Sequence, residues 1–107
     1  MLDLRFTTRS GDEKHFDRGL TVDDGTGERD FCLSMRSTAT GRVGTIRRAI
    51  RRPTLDGKKI LDPVGAPVWE GLLPDGPPPT RAFALAAGLC DENGGTDLPL
   101  PEWAEED

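Results

Sequence analysis

The sequence predicts an α+β domain: a small antiparallel β-rich sheet of meander and hairpins, one short helix, and an extended C-terminal tail. Three observations carry this expectation. Two segments alternate polar and apolar residues with the period of two that belongs to a half-buried strand. The stretches between the early extended segments are too short for the crossover that parallel pairing requires. Thirteen glycines and nine prolines among 107 residues assign much of the chain to turns and loops.

Leu2, Leu4 and Phe6 alternate with Asp3, Arg5 and Thr7, which places the first strand at residues 2–8. Ser10-Gly11-Asp12 has turn chemistry, and residues 14–22 follow as a shorter, irregular strand anchored by Phe16, Leu20 and Val22. After the Asp/Gly-rich loop at 23–28, Phe31, Leu33 and Met35 alternate with Cys32, Ser34 and Arg36, the second clear strand. These segments read as an antiparallel meander.

Val43, Ile46, Ala49 and Ile50 recur at helical spacing, so a short helix is expected over 45–52, capped by Gly44 or Thr45 and stopped by Pro53. Such a helix sets Arg47, Arg48, Arg51 and Arg52 opposite the isoleucines. Asp56-Gly57, between two β-prone pieces, suits a type I′ hairpin turn. Prolines and glycines recur from residue 62 to 79, which reads as a covering loop held by Val68, Trp69, Leu72 and Leu73. Residues 81–89 fit both periods. The alternation of Phe83, Leu85, Ala87 and Leu89 favours a strand, although alanine richness favours a helix.

The expected organisation is one globular domain over 1–90 and an acidic, Pro/Gly-containing tail over 91–107. A chain so short of core residues is expected to dock Leu98, Leu100 and Trp103 on its own sheet; the other reading is a peptide that enters a groove of another protein. The segments contain no internal repeat.

Charge is laid out unevenly behind a net of −5. From residue 42 to 59 the bases Arg42, Arg47, Arg48, Arg51, Arg52, Lys58 and Lys59 face one acid, Asp56, whereas residues 91–107 hold seven acids and no base. The two segments can pair with each other or serve different partners.

Gly41-Arg42-Val43-Gly44, running into the arginine-rich segment, is the strongest candidate ligand loop. Its glycines admit close backbone approach, and arginines and a helix N-terminus attract phosphate. In these four residues the chain resembles the Gly-x-x-Gly loop of KH RNA-binding domains, which grips nucleic-acid backbone. The strand expected at 31–35 departs from the helix that precedes that loop in KH domains. The chain has no tyrosine, and neither tryptophan is near the arginines in sequence, so any nucleic-acid binding would rest on backbone phosphates and weaken with salt.

The acidic loops at 23–30 and 91–97 lack the EF-hand order and read as turns, and one histidine gives zinc no set of ligands. No metal or cofactor is expected. Catalysis would depend on His15, which no recognisable nucleophile motif accompanies, so the chain is expected not to be an enzyme. Cys32 and Cys90 read as reduced, partly buried thiols. The longest apolar stretch, Ala82–Cys90, is far below the roughly twenty residues of a membrane helix, and the N-terminus lacks the pattern of a signal peptide. The composite expectation is a cytoplasmic, non-enzymatic interaction protein, a regulator, inhibitor or assembly factor of a bacterium or phage, that binds another protein through charged surfaces. Nucleic acid is the second reading and a His15 enzyme the third.

Overall fold

Five strands pair in chain order, each antiparallel to its neighbour: β1 (Asp3–Thr8), β2 (Phe16–Asp23), β3 (Glu28–Thr38), β4 (Gly41–Pro53) and β5 (Lys59–Leu73). Among the described residues, one short helix, α1 (Pro79–Ala86), and a single 3-10 turn (Glu102–Ala104) complete the fold. The structure, a computed structural model, describes residues 2–8, 16–53, 55–57, 59–96 and 98–105, and of Thr8, Phe16 and Lys59 the backbone alone.

The register explains the core. Phe31 lies opposite Arg48, Leu33 opposite Ile46, and Met35 opposite Gly44, so these residues share one face of the sheet. On that face Leu20, Val22, Phe31, Leu33 and Ile46 are fully buried, covered by Ala82, Phe83 and Leu89 from α1 and the turn after it. Each large aliphatic or aromatic side chain so buried contributes about 1.5–3 kcal/mol.

Residues 45–52 form part of β4, not a helix. Alternation puts Gly44, Ile46, Arg48, Ile50 and Arg52 on one face and Thr45, Arg47, Ala49 and Arg51 on the other. The β-branched Val43, Thr45, Ile46 and Ile50 suit this pleated surface, and cross-strand pairing overrides the helical spacing. The second correction is at 62–79, which reads as a covering loop in sequence but is β5 as far as Leu73. β5 pairs only with β4, and an edge strand tolerates Pro63 and Pro67 because no further ladder needs their missing N–H groups. Its ladder is interrupted where Trp69, Pro67 and Val64 oppose the consecutive residues Ile46, Arg47 and Arg48; Gly65, with φ +75°, sits in this bulge.

The third correction is α1, where the alternation at 81–89 points to a strand. Pro79 occupies the first turn, where a missing N–H costs nothing. Gly88, at φ +77°, ends the helix in a Schellman motif: Leu89 N–H donates to the Ala84 carbonyl at 2.8 Å and Gly88 N–H to Leu85 at 3.4 Å. Alanine-rich composition and paired end signals thus outweigh a period-two coincidence.

The hairpin expected at Asp56-Gly57 joins β4 to β5, but through five residues. Gly57 has φ +83° and Asp56 does not have positive φ, so the turn is not type I′. This long hairpin curls over the face opposite α1. A Cβ on Gly19 would stand 2.8 Å from Leu61 Cδ1, and the Cys32 thiol donates to the Leu61 carbonyl at 3.4 Å.

Candidate interaction site

The five arginines of the 42–59 segment do not form one cationic face. All five are on β4, and alternation distributes them to both sides of the sheet. Arg42 donates to the carbonyls of Pro74 and Pro77 and lies 3.7 Å from Asp75, so it ties down the connection before α1. The Arg51 guanidinium bonds Asp30 Oδ2 at 2.7 Å and Glu28 Oε2 at 2.6 Å. Arg52 Nε meets Asp62 Oδ2 at 2.7 Å. Arg48 donates to the Glu105 carbonyl at 3.0 Å, which links β4 to the tail through main chain and not through a carboxylate. Arg47 lines a partly enclosed pocket on the opposite face with Asp17, Cys32, Ser34 and Pro63. Lys58 lies outside the described residues, as does the Lys59 side chain, and His15 falls there too.

Gly41 and Gly44 each have a structural duty. Gly41, at φ +131°, follows the Ala39-Thr40 turn between β3 and β4. Gly44 is a floor for α1: a Cβ there would lie 2.6 Å from Phe83 Cε1 and 2.9 Å from Leu73 Cδ2. The helix N-terminus expected after Gly44 is absent, because β4 continues through both glycines.

The tail docks on its own domain. Trp103 meets Phe31 edge to face, with ring centroids 5.2 Å apart at 79°, and its indole N–H donates to the Ala87 carbonyl at 3.0 Å. Leu100 packs against the core, Ala104 is buried, and Leu98 is half-buried. The acidic loops serve their own turns: Asp23 and Asp24 accept the amides of Gly25 and Thr26, each at 2.9 Å, and Asp91 accepts those of Asn93 and Gly95. Among the described residues no cluster of His, Cys, Asp and Glu suits a metal ion, and no helix is long and apolar enough to cross a membrane. Cys32 and Cys90 are both buried.

On the face opposite α1, Glu28 accepts from Arg5 and Arg51, and Asp30 accepts from Arg51 and from Thr21 Oγ1 at 2.8 Å. This network joins all four of the strands β1 to β4. The bonds from Arg51 and Arg5 hold the Glu28 carboxyl below its ordinary value, and the Asp30 and Glu28 carboxylates raise Arg51 further. At the β2–β3 turn, hydrogen bonds from the Thr26 hydroxyl and amide hold Asp24 at about 2. Both carboxyls titrate lower in the folded than in the unfolded chain. Their stabilisation is therefore complete above the unfolded values and is lost as pH falls towards the folded ones, which for Asp24 spans 3.8 to about 2. The melting temperature is expected to stay level from neutral pH to about 5 and to fall below that. Asp24→Asn should flatten the lowest part of the fall in a calorimetric pH series, and an unchanged profile would count against the role of the turn.

The site that sequence reasoning missed is apolar. Ile50, Ile60 and Val64 are 44%, 44% and 38% exposed, and with Leu55 they account for four of the five exposed large apolar side chains among the described residues. All four belong to the β4–β5 hairpin, hereafter the arm. Val64 lies opposite Arg48, Asp62 opposite Ile50 and Ile60 opposite Arg52, so one side of the arm presents Arg48, Ile50, Arg52, Ile60, Asp62 and Val64 together. α1 covers this sheet face only at its other end. Between the arm and the tail lies an open groove of about 560 Å³, lined by Arg48, Val68, Glu102 and Trp103. The available signal was alternation on both sides of Asp56-Gly57, with Ile50 and Arg52 answered by Ile60 and Asp62.

Fold and site define a five-stranded antiparallel meander with one covering helix and an arm that is apolar on one side. The chain matches no family model, no curated protein and no solved structure.

Proposed function

We propose that this chain is a non-enzymatic protein-interaction module, a regulator, inhibitor or assembly factor, that docks a partner protein on the apolar side of the β4–β5 arm. The observation that carries this reading is the concentration of Ile50, Ile60, Val64 and Leu55 in one hairpin. Exposed apolar residues scattered singly need no explanation, whereas a cluster rimmed by charge is characteristic of a binding surface. Arg48, Arg52 and Asp62 supply that rim and select orientation more than affinity.

Nucleic-acid binding through the same segment takes second place. Phosphate contacts need arginines that face solvent as a group, and here Arg51 and Arg52 are engaged by Glu28, Asp30 and Asp62, while Arg42 and Arg48 bond main-chain carbonyls. Capture from native lysate separates the two readings. Ile50→Asp or Ile60→Asp should abolish recovery of a specific protein, and Arg51→Gln/Arg52→Gln should leave most of it. Loss with the arginine variant alone, together with recovered nucleic acid, would reverse the order.

A further inference from the structure

The two edges of the sheet differ. β5 carries Pro63 and Pro67, whose missing N–H groups stop a ladder from continuing outward. β1 contains no proline, glycine or lysine, its register with β2 runs without interruption, and among the described residues no strand pairs with its outer side. The outer main-chain groups of such a strand are a template for another strand. Leu4 and Phe6, opposite Val22 and Leu20, pack against the core but are only half-buried at this end of the sheet. Asp3 and Arg5 lie on the other face, with side chains 69% and 52% exposed.

We infer that β1 pairs antiparallel with β1 of a second copy across a two-fold axis at Leu4, so that two five-stranded sheets become one continuous sheet. The residues of β1 select both this occupant and this register. With the axis at Leu4, Asp3 of each copy stands opposite Arg5 of the other on one face, and Leu2 stands opposite Phe6 on the other face, flanking the Leu4 pair. With the axis at Arg5 the two guanidinium groups would oppose each other, and with the axis at Phe6 neither Asp3 would meet a base. Arg5 already bonds Glu28 through one terminal nitrogen, and its guanidinium has more N–H donors than one carboxylate uses. The inference goes beyond the docking role of the arm and does not rest on it, because β1 and β5 are opposite edges of the sheet and a β1 pair leaves both arms free.

Sedimentation velocity on the full chain over a wide concentration range tests this. A strand pair is a small contact, so the expected result is a dimer of the 11.6 kDa chain that dissociates on dilution. Asp3→Arg alone sets bases opposite each other at both ends of the pair, and Arg5→Asp alone sets acids there; each should raise the dissociation constant about tenfold. An equimolar mixture of the two variant chains should regain the parent affinity, because in the mixed dimer every base again faces an acid. A structural effect of either substitution would not be relieved by mixing. Both side chains are exposed and Asp3→Arg leaves the Arg5–Glu28 bond in place, so the far-ultraviolet circular dichroism of the parent should persist. A chain that stays monomeric at every concentration, a dimer that neither substitution weakens, or a mixture no tighter than its components would overturn the inference. So would β1 amides that gain protection from hydrogen exchange only with a captured protein, which would give the edge to a foreign strand. Ile60→Asp should leave the dimer intact and Arg5→Asp should leave capture by the arm intact, so failure of the strand pair and failure of the docking role are read separately.

Discussion

Gly44→Val is expected to lower the melting temperature by roughly 10–20 °C, the largest effect of any single substitution on the sheet floor. The Phe83 ring is fully buried above Gly44, and Leu73 closes its side, so a side chain at position 44 meets atoms that have little room to withdraw. Overpacking a core by this much costs about 3 kcal/mol, against which the β propensity of valine returns at most about 1 kcal/mol. Gly44→Ala should fall between the two, and Phe83→Leu combined with Gly44→Val should recover part of the loss, because the two positions share one volume. Thermal melts of the four chains give the answer. A Gly44→Val protein that melts like the parent would mean that α1 is not seated on β4.

Trp103→Ala is expected to destabilise the fold by about 2–4 kcal/mol, although residue 103 is only four positions from residue 107. The substitution removes the edge contact on Phe31 and the indole N–H from the Ala87 carbonyl, leaving an acceptor at the helix C-terminus without its side-chain donor. Trp103→Phe keeps a ring and forfeits the hydrogen bond, and should cost about 1 kcal/mol. Hydrogen exchange should show the amides of Leu89 and Cys90 losing protection in Trp103→Ala, since both donate to Ala84 beneath the tail. Unchanged exchange would assign the tail to a partner and not to its own domain.

Much of the meander is legible in the sequence because local and long-range preferences agree there. Leu2, Leu4 and Phe6, and Phe31, Leu33 and Met35, point to one face with the period of a strand; Leu4 and Phe6 lie in β1 with Leu2 just before it, and the other three lie in β3. Reading fails where two periods coexist. In Val43–Ile50 the apolar residues satisfy helical spacing while their β-branching suits a strand, and the decision belongs to β3 and β5 on either side, which no local window contains. In Phe83–Leu89 the balance runs the other way, and the end signals Pro79 and Gly88 hold the information that alternation hides. β5 is concealed because proline signals a loop unless the strand is known to be an edge.

The candidate site was less legible than the fold, for a physical reason. A run of arginines identifies charge but not what the charge faces. Glu28 and Asp30 reach Arg51 only through the register of the β3–β4 hairpin, and Asp62 meets Arg52 only once β5 is recognised. When the acids of the same sheet satisfy those guanidinium groups, the exposed isoleucines between them become the distinctive chemistry of the surface.

We propose that the apolar side of the arm, and not its arginines, engages a partner. Capture from native lysate with the parent, Ile60→Asp and Arg51→Gln/Arg52→Gln chains tests it most directly, with eluates read by mass spectrometry for protein and by ultraviolet absorbance for nucleic acid. The expected result is one protein shared by the parent and the arginine variant, missing from Ile60→Asp, with no nucleic acid in any eluate. Nucleic acid held by the parent and by Ile60→Asp but released by the arginine variant would contradict it.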